Sequence, residues 1–288
     1  SLAFLVSSYL GYGFATSLFV AVILAPTSVS VTVATLMNLG MIRSRVGEIV
    51  IGAAVADDIY AMVLFGLTHS LVIEESISPT SLYPMAIGLV FVLAVFLLLY
   101  KYSDAIVGGI ARKSRLMDAP HSQVLIIGLA TATITAYFRL SPLIGAYFAG
   151  LALSPVVRGH RLEHFYTLLV NFISPFFFVY AGILLDPWSI LASIEPGKTI
   201  VVTILIVLAG VLGKVVGCGL AAKLSGLNTR DSLAIGVAMM PRAGVDLVIA
   251  VTGLTLGILT MELYFAALVL IYVTSILTPA LIKHLLKA

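Results

Sequence analysis

Charge is what this sequence has least of. Only 10% of its 288 residues are Asp, Glu, Lys or Arg, and 61% are hydrophobic, whereas a water-soluble domain carries about 25% charged residues. With a mean hydropathy of +1.16, the composition describes a polytopic membrane protein rather than a globule in water. Cysteine is nearly absent as well. A lone Cys218 inside an apolar run rules out a disulfide framework within the chain and a cysteine-based metal site. The five histidines (His69, His121, His160, His164 and His284) read as falling in short connections between apolar runs, without metal-ligand spacing. The basic residues are dispersed, so a pI near 8.9 gives no nucleic-acid signal and no such partner is expected.

What is abundant is apolar sequence in long runs. Runs of roughly the 20 residues needed to cross a bilayer occur at about 11–37, 47–71, 81–101, 121–138, 140–157, 165–185, 198–222, 231–255 and 261–282. Residues 1–9 read as the tail of a further span, and the abrupt opening "SLAFLVSSYLGYGF" suggests helices preceding Ser1. The expected fold class is therefore an all-α polytopic membrane protein, with 1–288 as a single unit in contact with the lipid bilayer. If the spans alternate, one side collects Arg43, Arg45, Lys101, Arg112, Lys113, Arg115, Arg158, Arg161, Lys223, Arg230, Lys283 and Lys287. The other side holds only Arg139 and Lys198. This asymmetry places the basic side, including the 102–120 loop and the C-terminus, in the cytoplasm.

Five ionisable residues remain at membrane depth: Asp57, Asp58, Lys214, Arg242 and Asp246. Each costs at least ~2.5–3.5 kcal/mol on insertion scales and is by default a candidate facing a cavity or a partner. The competing structural reading is an ion pair that holds helices together, Asp57 with Lys214. Two of the runs are also interrupted at mid-depth. "VAVILAPTSVSVTVATL" carries Pro26 followed by the hydroxyls of Thr27, Ser28 and Ser30, and "IGVAMMPRAGVDLVIAV" carries Pro241. A proline removes a backbone donor and crowds the preceding turn. Two such breaks in one chain are a pointer to an inverted-repeat transporter whose site lies where the broken helices meet.

Adjacent residues on a helix point about 100° apart, so Asp57 and Asp58 cannot do the same job. One can face the Lys214 helix while the other faces the cavity beside Pro26. Burial and a like-charged neighbour oppose ionisation of a carboxylate, and a lysine favours it. A hard cation such as sodium takes oxygen ligands, which a carboxylate with hydroxyls and carbonyls supplies. Proton and cation then compete for one place, which is the physical core of exchange.

The ordered set "APTSVSVTVATLMNLG", "IVIGAAVADDIY", "SPLIGAYFAGLAL", "PFFFVYAGILLD", "GKVVG" and "MMPRAGVDLVIA" resembles the monovalent cation:proton antiporters of the NapA and Kef type, distant relatives of NhaA. The resemblance covers essentially the whole chain and implies an NhaA-like inverted-repeat fold with two crossing discontinuous helices. It further implies that the first two or three helices of the family precede Ser1. Carried over by position, Asp58 is the ion- and proton-binding carboxylate that would ligate sodium, and Asp57 is the partner that pairs with Lys214. Thr27 and Ser28 match the unwound segment that helps coordinate the ion. The resemblance implies core helices at about 11–71 and 198–255 and scaffold helices at about 81–185 and 261–282. It also implies a homodimer in a prokaryotic inner membrane, an elevator-like motion, sodium and protons as substrates, and no cofactor. Asp-Asp with a lysine resembles the charge-moving sodium/proton branch, since Kef-type potassium/proton systems usually carry Gln-Asp. One departure stands out. The family often reads Pro-Arg-Gly-Glu where this chain has Pro241-Arg242-Ala243-Gly244, with Asp246 two positions on. Arg242 and Asp246 are thus read first as structural charges.

Other classes fit less well. Intramembrane aspartyl proteases place two aspartates on separate helices with a Gly-x-Gly-Asp pattern, and polyprenyl transferases need a second Asp cluster; neither is present. A sodium-coupled organic-anion symporter on a related fold would lack Lys214 opposite the pair. A channel would call for a uniform polar stripe. The small-residue patches "GAYFAGLA" and "GKVVGCGLA" suggest close helix approach.

Overall fold

The computed structural model describes residues 2–73, 79–113, 119–138, 140, 142–159, 162–184 and 196–287. The basic residues Arg115, Arg139 and Arg161, and His160, lie outside these. The described residues form helices: α1 (Leu2–Tyr9), α2 (Phe14–Ile23), α3 (Val29–Asn38), α4 (Arg45–Ile73), α5 (Pro79–Lys113) and α6 (Ala119–Tyr137). They continue with α7 (Pro142–Gly159), α8 (Glu163–Ile183), α9 (Pro196–Leu224), α10 (Thr229–Ala238), α11 (Val245–Thr255) and α12 (Met261–Lys287). In lipid no water is available for backbone groups, so a chain this apolar satisfies them within helices.

Among the described residues, four helices are long and apolar enough to cross a membrane: Arg45–His69, Ala86–Val107, Gly197–Leu224 and Met261–Leu286. At 22 to 28 residues they extend about 33–42 Å at the α-helical rise. Two of the nine expected spans are not continuous helices. The first and eighth runs are each divided in two, into α2 with α3 and α10 with α11. Helices also run past their apolar windows. Residues 102–113, expected in a loop, continue α5, and His69, His121, His164 and His284 lie within α4, α6, α8 and α12 rather than in connections. Once a helix is nucleated, each added residue gains a backbone bond, so apolar content marks where lipid begins and not where the helix stops.

The chain divides into two compact units, one of residues 1–61 with 181–288 and one of 62–180. In the first, α9 packs against α1, α10 and α12, while α12 also meets α3, α10 and α11, and α2 meets α11. Its core gathers Leu36 from α3, Val46, Val50 and Ala54 from α4, Ala222 from α9 and Ala234, Ile235 and Val237 from α10, all buried. In the second unit α6 and α7 pack on each other and on α5.

Glycine decides two of these contacts. A Cβ on Gly236 would sit 2.4 Å from the Val215 carbonyl oxygen, so α10 can approach α9 beside Lys214 only with glycine there. In α7, a Cβ on Gly145 would come within 2.4 Å of Thr135 Oγ1. The neighbouring Gly150, Gly213 and Gly217 face open space, so only some of the small residues in the two patches mark close approach. Gly236→Val is expected to lower the thermal midpoint in detergent, with a loss of about 1–3 kcal/mol typical of overpacking. Gly217→Ala, with the better helix former in open space, should leave that midpoint unchanged or slightly higher.

Candidate functional site

An interrupted helix creates a backbone debt at mid-depth: the last carbonyls before the break and the first N–H groups after it lose their intrahelical partners. Here α2 stops at Ile23 and α3 resumes at Val29, around Pro26, and α10 stops at Ala238 and α11 resumes at Val245, around Pro241. The two breaks satisfy each other. The Ser28 N–H donates to the Pro241 carbonyl at 2.7 Å. Thr32 Oγ1 donates to the Ala238 carbonyl at 2.6 Å, and Thr27 Oγ1 lies 3.1 Å from that of Met239. In return, Arg242 Nη1 donates to the Pro26 carbonyl at 3.0 Å and lies 3.5 Å from that of Ile23.

The carboxylates reach this crossing through the register of α4. Val46, Val50 and Ala54 are buried at i, i+4 spacing and Ala61 is fully buried. Asp57 and Asp58 fall three and four residues after Ala54, so both continue the buried face rather than turning fully to lipid. Both are half-buried. Asp57 Oδ2 accepts from Lys214 Nζ at 2.5 Å and from Thr27 Oγ1 at 2.6 Å. A hydroxyl has a single hydrogen, so the shorter contact takes it and the Met239 carbonyl holds the weaker claim.

Asp58 is placed differently. The Thr27 backbone N–H lies beside it, but its Oδ1 is buried with no hydrogen-bond partner among the described residues. A buried carboxylate oxygen without a partner is costly, and a proton or a metal cation each supplies what is missing. Ser28 is brought to the crossing by its backbone, and its hydroxyl lies 3.1 Å from that of Ser30.

Arg242 and Asp246 are each only 1% exposed. Arg242 Nη1 and Asp246 Oδ1 stand 3.6 Å apart, an ion pair too long to be a hydrogen bond. Asp246 Oδ2 accepts from the Ala243 N–H at 3.0 Å, and Ser275 Oγ donates to the Arg242 carbonyl at 2.7 Å. The sequence singled out neither Thr32 nor Ser275. Thr32 stood in the hydroxyl-rich stretch after Pro26 and could have been found there, whereas Ser275, in the middle of α12, carries no local signal.

Fold and site together define an all-helical membrane protein with a lysine-paired carboxylate and a second carboxylate where two interrupted helices meet. The chain belongs to the sodium/hydrogen exchanger family, whose transmembrane model matches residues 1–288. It is similar to the Na(+)/H(+)-K(+) antiporter GerN of Bacillus cereus, 29% identical over 273 residues, covering 93% of this chain and 67% of that protein. A second relative, the probable Na(+)/H(+) antiporter GerT of Bacillus cereus, is 30% identical over 272 residues, with 93% of this chain and 69% of GerT covered. The Na(+)/H(+) antiporter of Enterococcus hirae is 25% identical over 272 residues, with coverage of 94% and 70%.

Removing one partner of a buried ion pair strands the other charge, at about 3–5 kcal/mol where burial is complete. Lys214 and Asp57 are 11% and 24% exposed, so the cost here should fall below that range. Asp57→Asn is expected to lower the thermal midpoint in detergent, and adding Lys214→Gln should restore part of it. A double variant no more stable than the single one would show that losing Asp57 does not strand Lys214.

Proposed function

We propose that the protein is a secondary active antiporter that exchanges protons for sodium or lithium across the membrane and moves net charge as it does so. The observation that carries this reading is the division of labour between neighbouring carboxylates: Asp57 is tied to Lys214 and Thr27, and Asp58 keeps a buried oxygen with no partner among the described residues. Asp58 binds either a proton or the cation, with oxygen ligands completing the shell as hard monovalent cations require. When the cation replaces the proton on Asp58, its charge displaces Lys214 from Asp57, and the freed ammonium gives its own proton to water, so that more than one proton exchanges per ion. Membership of the exchanger family supports the reading. The lysine beside an Asp-Asp pair favours sodium over the potassium/proton exchange of Kef-type systems, and it also speaks against a sodium-coupled organic-anion symporter.

The same reading gives the fold its role. The mutual bonding of the two breaks supports an NhaA-like inverted repeat. The helices at about 11–71 and 198–255 form an ion-carrying core that moves like an elevator against scaffold helices at about 81–185 and 261–282. Two copies form a homodimer in a prokaryotic inner membrane, with the basic loops and the C-terminus cytoplasmic. Transport needs no cofactor, since binding energy and the two gradients drive it.

In proteoliposomes with a trapped pH dye and an imposed pH gradient, Asp58→Asn is expected to abolish sodium-dependent proton movement. Wild-type exchange by that variant would discard the site assignment. Lys214→Gln should still exchange, with a weaker response to membrane potential; an unchanged response would remove the lysine from the coupling. A panel of lithium, sodium and potassium in the same vesicles ranks the cations.

A further inference from the structure

Arg242 is the largest fully buried side chain among the described residues, and stability alone gives no reason for it. Two of its donor nitrogens, Nε and Nη2, have no hydrogen-bond partner among the described residues, and neither has Asp246 Oδ1 facing it. A buried ion pair with unmet polar atoms is weak evidence for stability, because a well-packed apolar side chain of similar volume often serves as well or better. What only this guanidinium supplies is its grip on the end of α2. A cation there opposes the negative end of the helix dipole and occupies the Pro26 carbonyl at 3.0 Å.

That carbonyl belongs to the residue before Thr27. On the far side of Thr27, the Ser28 N–H is held by the Pro241 carbonyl at 2.7 Å. Thr27 is thus clamped from both flanks by consecutive residues of the other break, Arg242 and Pro241. Its own hydroxyl goes to Asp57 and its N–H lies beside Asp58. Proline already fixes φ at Pro26, so with both flanks bonded little freedom remains between the two carboxylates and the crossing.

We propose that Arg242 is a positioning residue of the cation site. It holds Pro26 so that Thr27 keeps its hydroxyl on Asp57 and its amide toward Asp58, and it keeps the Pro26 carbonyl out of the ion's coordination shell. Asp246 and Ser275 seat Arg242. Asp246 does so through the 3.6 Å pair and its own bond to the Ala243 N–H, and Ser275 through the bond to the Arg242 carbonyl. Asp246 acts through Arg242 and does not bind the ion. The inference rests on the assignment of the ion site to Asp58 made above.

Two measurements on the same purified chain separate the inference from that assignment. The first is sodium-dependent proton movement in proteoliposomes, analysed as KM and maximal rate. The second is hydrogen–deuterium exchange of the amides of residues 24–28 in detergent, which is independent of the ion transported. Arg242→Gln is expected to raise the sodium KM about tenfold or more, the scale of losing a charge-assisted hydrogen bond, with a smaller change in maximal rate. It should also speed exchange at 24–28. Arg242→Lys, which can still place a charge on the Pro26 carbonyl, should recover part of both effects.

If Arg242→Gln does not fold, Asp246→Asn and Ser275→Ala carry the test, with smaller changes in the same directions. A folded Arg242→Gln, or Asp246→Asn with Ser275→Ala in its place, that leaves both KM and amide exchange at wild-type values overturns the proposal. So does a loss of maximal rate with unchanged KM. Should Asp58→Asn transport normally, the ion-site assignment falls, and faster exchange at 24–28 in Arg242→Gln still decides whether Arg242 holds the segment.

Discussion

Every other feature of the site depends on one exchange of hydrogen bonds, that between the two interrupted helices. A break at membrane depth leaves donors and acceptors that lipid cannot satisfy, and either break alone would be a heavy cost. Placed against each other, they supply what each lacks. Pro241 accepts from the Ser28 N–H, Arg242 donates to Pro26, and Thr32 donates to the Ala238 carbonyl that ends α10. The prolines that open the helices therefore need partners across the crossing, and two of the donors that provide them, the Ser28 N–H and the Arg242 guanidinium, come from within two residues of a proline.

The acidic pair gains its asymmetry from that crossing. Consecutive residues on one helix meet different surroundings: Asp57 finds an ammonium and a hydroxyl, and Asp58 finds a backbone N–H and a buried oxygen left over. A structural ion pair alone would account for Asp57 and Lys214. It does not account for Asp58, a second carboxylate on the next residue with no ion pair of its own among the described residues. The close approach of α10 at Gly236 to the Val215 backbone sets the wall beside Lys214, so packing and electrostatics meet within one turn of α9.

Much of this was legible in the chain, and the reasons differ from residue to residue. Pro26 and Pro241 announce their breaks because proline acts on its own backbone wherever it stands. Asp57, Asp58, Lys214, Arg242 and Asp246 stand out because charge is expensive in an apolar run whatever the fold. Helix ends were less legible. Histidines expected in connections lie inside helices, and residues 102–113 extend α5, because a helix carries polar residues past the apolar stretch. The small-residue patches mark close approach only in part: Gly145 meets a neighbour and Gly150, Gly213 and Gly217 do not, while Gly236, outside both patches, comes as close to its neighbour as Gly145 does.

The sequence by itself determined the solvent, the helical class, the positions of the two breaks and which charges stand at membrane depth. Each of these is a property of a residue together with its immediate neighbours. Only the tertiary structure decided that Thr27 serves Asp57 while the Ser28 hydroxyl turns to Ser30, that Ser275 seats Arg242, and that the Arg242 guanidinium closes the end of α2. Those contacts join residues as far as 219 positions apart in the chain. Their partners are chosen by how helices pack and which way side chains turn, and no local pattern of residues encodes that.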